Sequence, residues 1–376
     1  MVQEQCLARL KSPLESLPTE IIQEIFLRCL EINLPRASIH IARALSDPVI
    51  YSWLVRFAFA ITKSDGDDDD HEPFFTRHFL PPHAIVGAID NAEMVNLRTQ
   101  ILGCRWCTLS VVRNCQVKFL SHVCRHLRQE MEIFPDDCQL VARPSIETRF
   151  DNLEDYDRGV CGHRGKADLI LRARKLFKPP TSVADFKISM WFNHGVVDIE
   201  VRDGVEYLGN RYFELPFCPR SRVPDKLLGQ PWTKTKFEFL ELLATKACID
   251  VEESFPRATR TLRQVIRDRD LATFVRLLDF YVVAGGYKAL VPFPTRNPVF
   301  KAALRYAEAF NDPFVRILVE DRWGHIDPED LRLKEQLLAA VDFTCIPSGE
   351  PCRPPSGFES ECVNQNEPFT SRDDPF

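Results

Sequence analysis

Hydrophobic positions along the first sixty residues fall at helical intervals. From Pro18 the apolar side chains Ile21, Ile22, Ile25, Phe26, Cys29 and Leu30 form the i, i+3, i+4 stripe of an amphipathic helix. Pro18 suits a first helical turn, and Glu20 complements the positive helix end. Asn33-Leu34-Pro35 is expected to end this helix. Ala37 to Ala60, broken near Asp47-Pro48, predicts two further short helices. Asn91 to Phe134 is again helical in pattern, with Thr108 as N-cap of a helix carrying Val111, Val112, Cys115, Phe119, Val123 and Leu127. Arg143 to Pro180 has weak periodicity and reads as loop, with one short helix near Ala167 to Leu176. The period then changes. VVDIEVRDGVEYL (Val196 to Leu208) alternates on both sides of Asp203-Gly204, which predicts a small β-hairpin inserted in a helical chain.

The C-terminal third repeats itself. FLELL begins at Phe239, FVRLL at Phe274 and FVRIL at Phe314, 35 and 40 residues apart, within the range of helical solenoid units. LRQVI and FKAAL precede the last two as the first helix of a helix-turn-helix pair would. A single pair cannot bury its apolar face, so neighbours stack. The units resemble degenerate ankyrin repeats, with CID and GHID at the turns. The threonine-proline-leucine-histidine signature is missing and the spacing exceeds 33 residues.

Composition adds limits. The chain has 376 residues, long enough for two or three domains, and a formal net charge of −6, which gives no basic balance for a phosphate backbone. No apolar run reaches the roughly 18 residues of a membrane span, and the N-terminus lacks a secretory core. Thirteen cysteines, an odd count in a large chain, suit reduced thiols, so a cytoplasmic or nuclear location is expected. The acidic run from Lys63 to Pro73 reads as a solvated loop, and Ile346 to Phe376, rich in Pro, Ser and acids, as a disordered tail.

The residues PLESLPTEIIQEIFLRCL resemble the start of an F-box, a three-helix module of about forty to fifty residues. Leu17, Pro18, Glu20, Ile21, Ile22, Ile25, Phe26 and Leu30 match its Leu-Pro pair, acidic residue and apolar stripe. The order of this segment, NLPRAS, CRWCT, PWTKTKFEFLELL and helical repeats is similar to a group of filamentous-fungal F-box proteins. That resemblance implies a mainly α protein: an F-box over 12–60, a helical middle region with acidic loop and hairpin over 61–230, ankyrin-like repeats over 231–343 and a tail over 344–376. It implies an adaptor that does no chemistry itself. The matching residues would dock on the adaptor subunit of a Skp–cullin–F-box ubiquitin ligase, joined to its cullin, and the repeats would hold a protein substrate. Neither nucleic acid, membrane nor cofactor is called for. The rival expectation is a helical-repeat scaffold whose N-terminal helix is ordinary core.

Chemical motifs are sparse. Cys104 and Cys107, then His122 after fourteen residues and His126 after three more, come near the spacing of a two-Cys two-His zinc finger. A helix running from Thr108 through the interval argues against a finger, which needs a hairpin first. A zinc-dependent nucleic-acid binder is therefore the weakest of three readings, and buried thiols the simpler account of these cysteines. No Walker loop, nucleophile elbow, dinucleotide glycine fingerprint or HExxH sequence occurs. Trp191-Phe192 and Tyr212-Phe213 are expected to pack beside the hairpin.

Overall fold

A computed structural model of the chain describes residues 12–64, 79, 89–159, 164–176, 183–203, 206–252, 254–283 and 290–342. Most of the acidic run and the whole of the expected tail lie outside these residues. Two compact units account for the chain, one formed by residues 1–227 with 233–247, the other by residues 228–232 with 248–376. The fold is mainly helical with a small antiparallel sheet.

The first unit opens with three helices, α1 (Thr19–Cys29), α2 (Ile39–Ala44) and α3 (Pro48–Phe59). Ser38 caps α2 by accepting from the Ile41 amide at 3.2 Å, and Asp47 caps α3 through the Val49 amide at 2.8 Å. α1 stops earlier than Asn33: Leu30 turns left-handed (φ 50°) and its N–H returns to the Phe26 carbonyl at 2.8 Å. α4 (Asn91–Gly103) starts in a capping box between Asp90 and Glu93. Thr108 caps the long α5 (Leu109–Glu130), as its sequence predicts. Two short helices follow, α6 (Pro135–Cys138) and α7 (Arg143–Asp151).

The hairpin expectation is too small, and the reading of Arg143 to Pro180 is corrected. Val196 to Leu208 belongs to a six-stranded antiparallel sheet made of β1 (Ile61–Ser64), β2 (Glu132–Ile133), β3 (Leu169–Leu176), β4 (Val183–Trp191), β5 (Val196–Asp203) and β6 (Glu206–Glu214), in the order β1-β6-β5-β4-β3-β2. The segment assigned a short helix is strand β3. Its Leu, Ala, Arg and Lys favour a helix locally, but alternation decides: Leu171 and Ala173 are fully buried, while Arg172 between them and Ile170 before them are exposed, Ile170 at 54%. Register aligns Leu169, Met190, Val197 and Phe213 in one row and Leu171, Ile188 and Ile199 in the next. These rows are the buried face. Arg211 on the same face reaches Glu130 of α5 at 2.8 Å. The opposite face is polar, with Lys187–Glu200 and Arg174–Asp185 paired across strands at 3.3 and 3.1 Å.

α8 (Lys234–Ala244) carries FLELL and was expected to open the repeat array from residue 231. It belongs to the first unit instead. A buried ion pair fixes it there: Lys246 Nζ, just past the helix, lies 2.7 Å from Glu214 at the end of β6. The same amine donates to the His194 carbonyl at 3.0 Å.

The second unit contains the remaining repeats as helix pairs. α9 (Pro256–Arg267) pairs with α10 (Leu271–Leu278), and α11 (Asn297–Tyr306) with α12 (Pro313–Arg322), followed by α13 (Leu331–Ala340). A two-stranded hairpin, β7 (Tyr281–Val283) with β8 (Leu290–Pro292), joins the pairs. α9 packs on α11 and α11 on α13, while α10 packs on α12. The repeated phenylalanines meet: the rings of Phe274 and Phe314 lie 5.1 Å apart at the α10–α12 contact. Aspartates start four of these helices. Asp270, Asp312 and Asp330 cap α10, α12 and α13, and Asp250 accepts from the Arg257 and Ala258 amides, both at 3.0 Å, at the start of α9.

Candidate functional site

The N-terminal helix has two faces of different fate. Ile22 and Phe26 are 0% and 3% exposed and form core with Ile41, Leu45 and Ile50 of the same three-helix segment. Of the two places expected for them, anchor or supporting core, Ile22 and Phe26 take the core position. Gln23 adds a polar clasp, donating to the Ala44 carbonyl at 2.8 Å. On the other face Pro18 and Glu20 are exposed, Ile21 is 41% exposed, and Leu17, Ile25 and Leu30 are half-buried. Pro18, Ile21, Ile25 and the exposed Cys29 follow one another at helical spacing, so they make a continuous apolar stripe along α1. Ile39 and Val49, at the starts of α2 and α3, are also open, Ile39 at 73%. Scattered apolar residues on a surface are ordinary, but an ordered stripe is a mark of contact.

The three helices are not a free-standing module. α3 lends Leu54, Val55, Ala58 and Phe59 to the core of the first unit, and Arg98 of α4 donates to the Ala58 carbonyl. The stripe on α1 is thus presented from a rigid base.

Within the second unit a groove of about 970 Å³ runs across the starts of α9 and α11. Its walls include Phe255, Pro294 and Ile326 together with Arg263, Arg296 and His325. Arg296 stacks over the Phe255 ring at 5.3 Å, and His325 Nδ1 meets the Thr295 hydroxyl at 3.1 Å. Burial first, then Arg322 and Arg296, pushes the His325 imidazolium below its ordinary range. An apolar trough edged by cations is suited to a polypeptide segment. The sequence assigned substrate binding to the repeats without naming residues; the prolines and the GHID turn that line this groove are the signal it carried.

The four candidate zinc ligands are not brought together. Cys104 and Cys107 precede α5, whereas His122 and His126 lie roughly three and a half and four and a half turns along it, about 20 and 26 Å from its start at about 1.5 Å per residue. His126 pairs with Glu130 at 2.7 Å, and the His122 ring stacks on Phe79 at 4.7 Å. Cys107 is fully buried, and burial pushes its thiol up to about 12. Among the described residues no group of three or more His, Cys, Asp or Glu is placed to hold a metal ion. The aromatic pairs divide as alternation requires. Phe192 and Phe213 are core, while Arg164 lies over Trp191 and Tyr212 at 5.6 and 4.9 Å.

No family model matches the sequence, and no curated protein and no solved structure matches it. No helix among the described residues is long and apolar enough to cross a membrane.

Proposed function

We propose that the chain is a substrate-recognition adaptor of a Skp–cullin–F-box ubiquitin ligase, docking on the adaptor subunit through α1 and holding a protein substrate on the helix pairs of its second unit. One observation carries the reading. The Leu-Pro pair and the residues after it, which resemble an F-box start, leave Pro18 and Ile21 open while Ile22 and Phe26 build the base beneath. An interface of standard size buries roughly 1,600 Å², with a few apolar anchors dominating its energy. Pro18, Ile21 and Ile25, flanked by Leu17, supply that kind of centre, and Glu20 and Leu30 stand at its rim.

The repeat units resemble degenerate ankyrin repeats in carrying helix pairs that stack through their first helices, and the groove across α9 and α11 is the natural seat of a substrate segment. Such a protein works by placement, raising the effective concentration of its cargo near the charged conjugating enzyme.

The test is co-purification of the full chain with the ligase adaptor subunit. Wild type is expected to bind at micromolar concentration, and Leu17→Ala/Pro18→Ala or Ile21→Asp to abolish capture without lowering the melting temperature. Failure of the wild type to capture the adaptor refutes the ligase reading and leaves a helical-repeat scaffold.

A further inference from the structure

A small cavity in the first unit, about 260 Å³, lies between α3, α5 and the first turn of α7, beside Phe79. Its lining is cationic: Arg56, Lys118, Arg125 and Arg143 all face it, with His122, and no acidic residue is among its described walls. Lys118, Ser121, His122 and Arg125 recur at i, i+3, i+4 and i+7 and so share one face of α5.

Arg56 is the anomaly. It is 8% exposed, yet its Nε donates only to a neutral acceptor, the Ser52 carbonyl at 3.2 Å, and its guanidinium lies 4.9 Å from the Phe79 ring centre. No carboxylate pairs with it among the described residues. Among the described residues Lys118 meets the Ser52 hydroxyl at 3.3 Å, and Arg143 pairs with Glu147 at 2.8 Å. The Ser121 hydroxyl, on the α5 wall, is buried without a hydrogen-bond partner. Desolvation pulls the Arg56 pKa below its ordinary value, as burial of an uncompensated cation must. Buried charges are normally paired, and like charges converging on one cavity repel. Among the described residues the arrangement is that of a site without its counter-charge.

We propose that this cavity binds a compact soluble anion with clustered phosphate oxygens, of the diphosphate or polyphosphate class, with Arg56 as its buried anchor. The planar guanidinium fork matches phosphate geometry, Lys118 and Arg125 close on the outer oxygens, and the Ser121 hydroxyl donates to one of them. The volume is below the roughly 300–1,000 Å³ of pockets for drug-sized ligands, so the occupant is small. The inference stands apart from the ligase reading.

Isothermal titration of the full chain with sodium pyrophosphate tests it, with sodium sulfate at matched ionic strength as comparison. One pyrophosphate per chain is expected, bound more tightly than sulfate. Lys118→Gln and Arg125→Gln, both at exposed positions, should each weaken it about tenfold or more, and Arg28→Gln, remote from the cavity, should not. Arg56→Met should abolish binding; if that variant does not fold, the two glutamine variants still decide. Absence of binding at millimolar pyrophosphate overturns the proposal, as does unchanged affinity in Lys118→Gln and Arg125→Gln. Binding seen only after asparagine replaces Asp67, Asp68, Asp69 and Asp70 also overturns it, because the chain's own acidic run would then be the occupant.

Discussion

Replacing Lys246 with methionine should unfold the first unit far more readily than any exposed substitution. The ammonium lies 2.7 Å from Glu214, and both side chains are nearly closed to solvent, at 9% and 8% exposure. It also donates to the His194 carbonyl at 3.0 Å. Methionine fills much of the same volume, so the loss is electrostatic rather than a cavity. Glu214 is left as a buried anion without its cation, and removing one partner of such a pair costs about 3–5 kcal/mol. At roughly 2–4 °C per kcal/mol for a unit of this size, the melting transition should fall by roughly 6–20 °C. Calorimetry resolves this if the two units melt separately, because the transition of the second unit should not move. The double variant Lys246→Met/Glu214→Leu supplies the control. With both charges gone the desolvation penalty disappears with the attraction, so the double variant should recover to within about 1–2 kcal/mol of wild type. A single variant costing under about 1 kcal/mol would refute the claim that this pair holds α8 to the sheet. So would a double variant as unstable as the sum of the two singles.

Three further outcomes follow from the same unit and its neighbour. Gly195 has φ 64°, and a Cβ there would collide with the Leu215 carbonyl and the Gln116 amide, so Gly195→Ala should cost about 2 kcal/mol or more in urea titration; a neutral result would show that the turn can shift. Asp312 is 3% exposed and accepts from Arg269 at 2.7 Å and from the Phe314 and Glu308 amides at 3.0 and 3.2 Å, so Asp312→Ala should cost about 3 kcal/mol in the second unit, measured on its own transition. His194 gives the pH dependence. Burial, then Lys246 and Arg164, lowers its pKa to about 3, whereas the unfolded chain takes up that proton near 6.5. Its contribution is complete above pH 6.5 and is lost as pH falls towards 3. Asp168, raised by burial to about 6, binds its proton earlier in the fold than in the unfolded chain and offsets part of that loss between about pH 6 and 4. His194→Gln should therefore flatten the acid limb of urea midpoints measured from pH 7 to 4.5, and an unchanged limb would exclude His194 as its source.

The sequence by itself determined the helices whose signals are local. Ser38, Asp47, Thr108 and Asp270 cap helices because a short side-chain oxygen reaches its own N-terminal amides wherever the rest of the chain goes. The stripe of α1 and the paired helices around Phe274 and Phe314 were legible for the same reason, since a 3.6-residue period is written within one segment. Only the tertiary structure decided the sheet. LILRARKL has helix-forming residues, and it became β3 because β2 and β4 flank it and one face of the sheet is buried. FLELL looks like its two sister segments, yet Lys246 finds Glu214 across the first unit, a pairing over more than thirty residues that no local pattern encodes. The convergence of Arg56 with Lys118 and Arg125 is likewise a product of packing, because α3 and α5 are distant in sequence and meet only when their apolar faces are buried together.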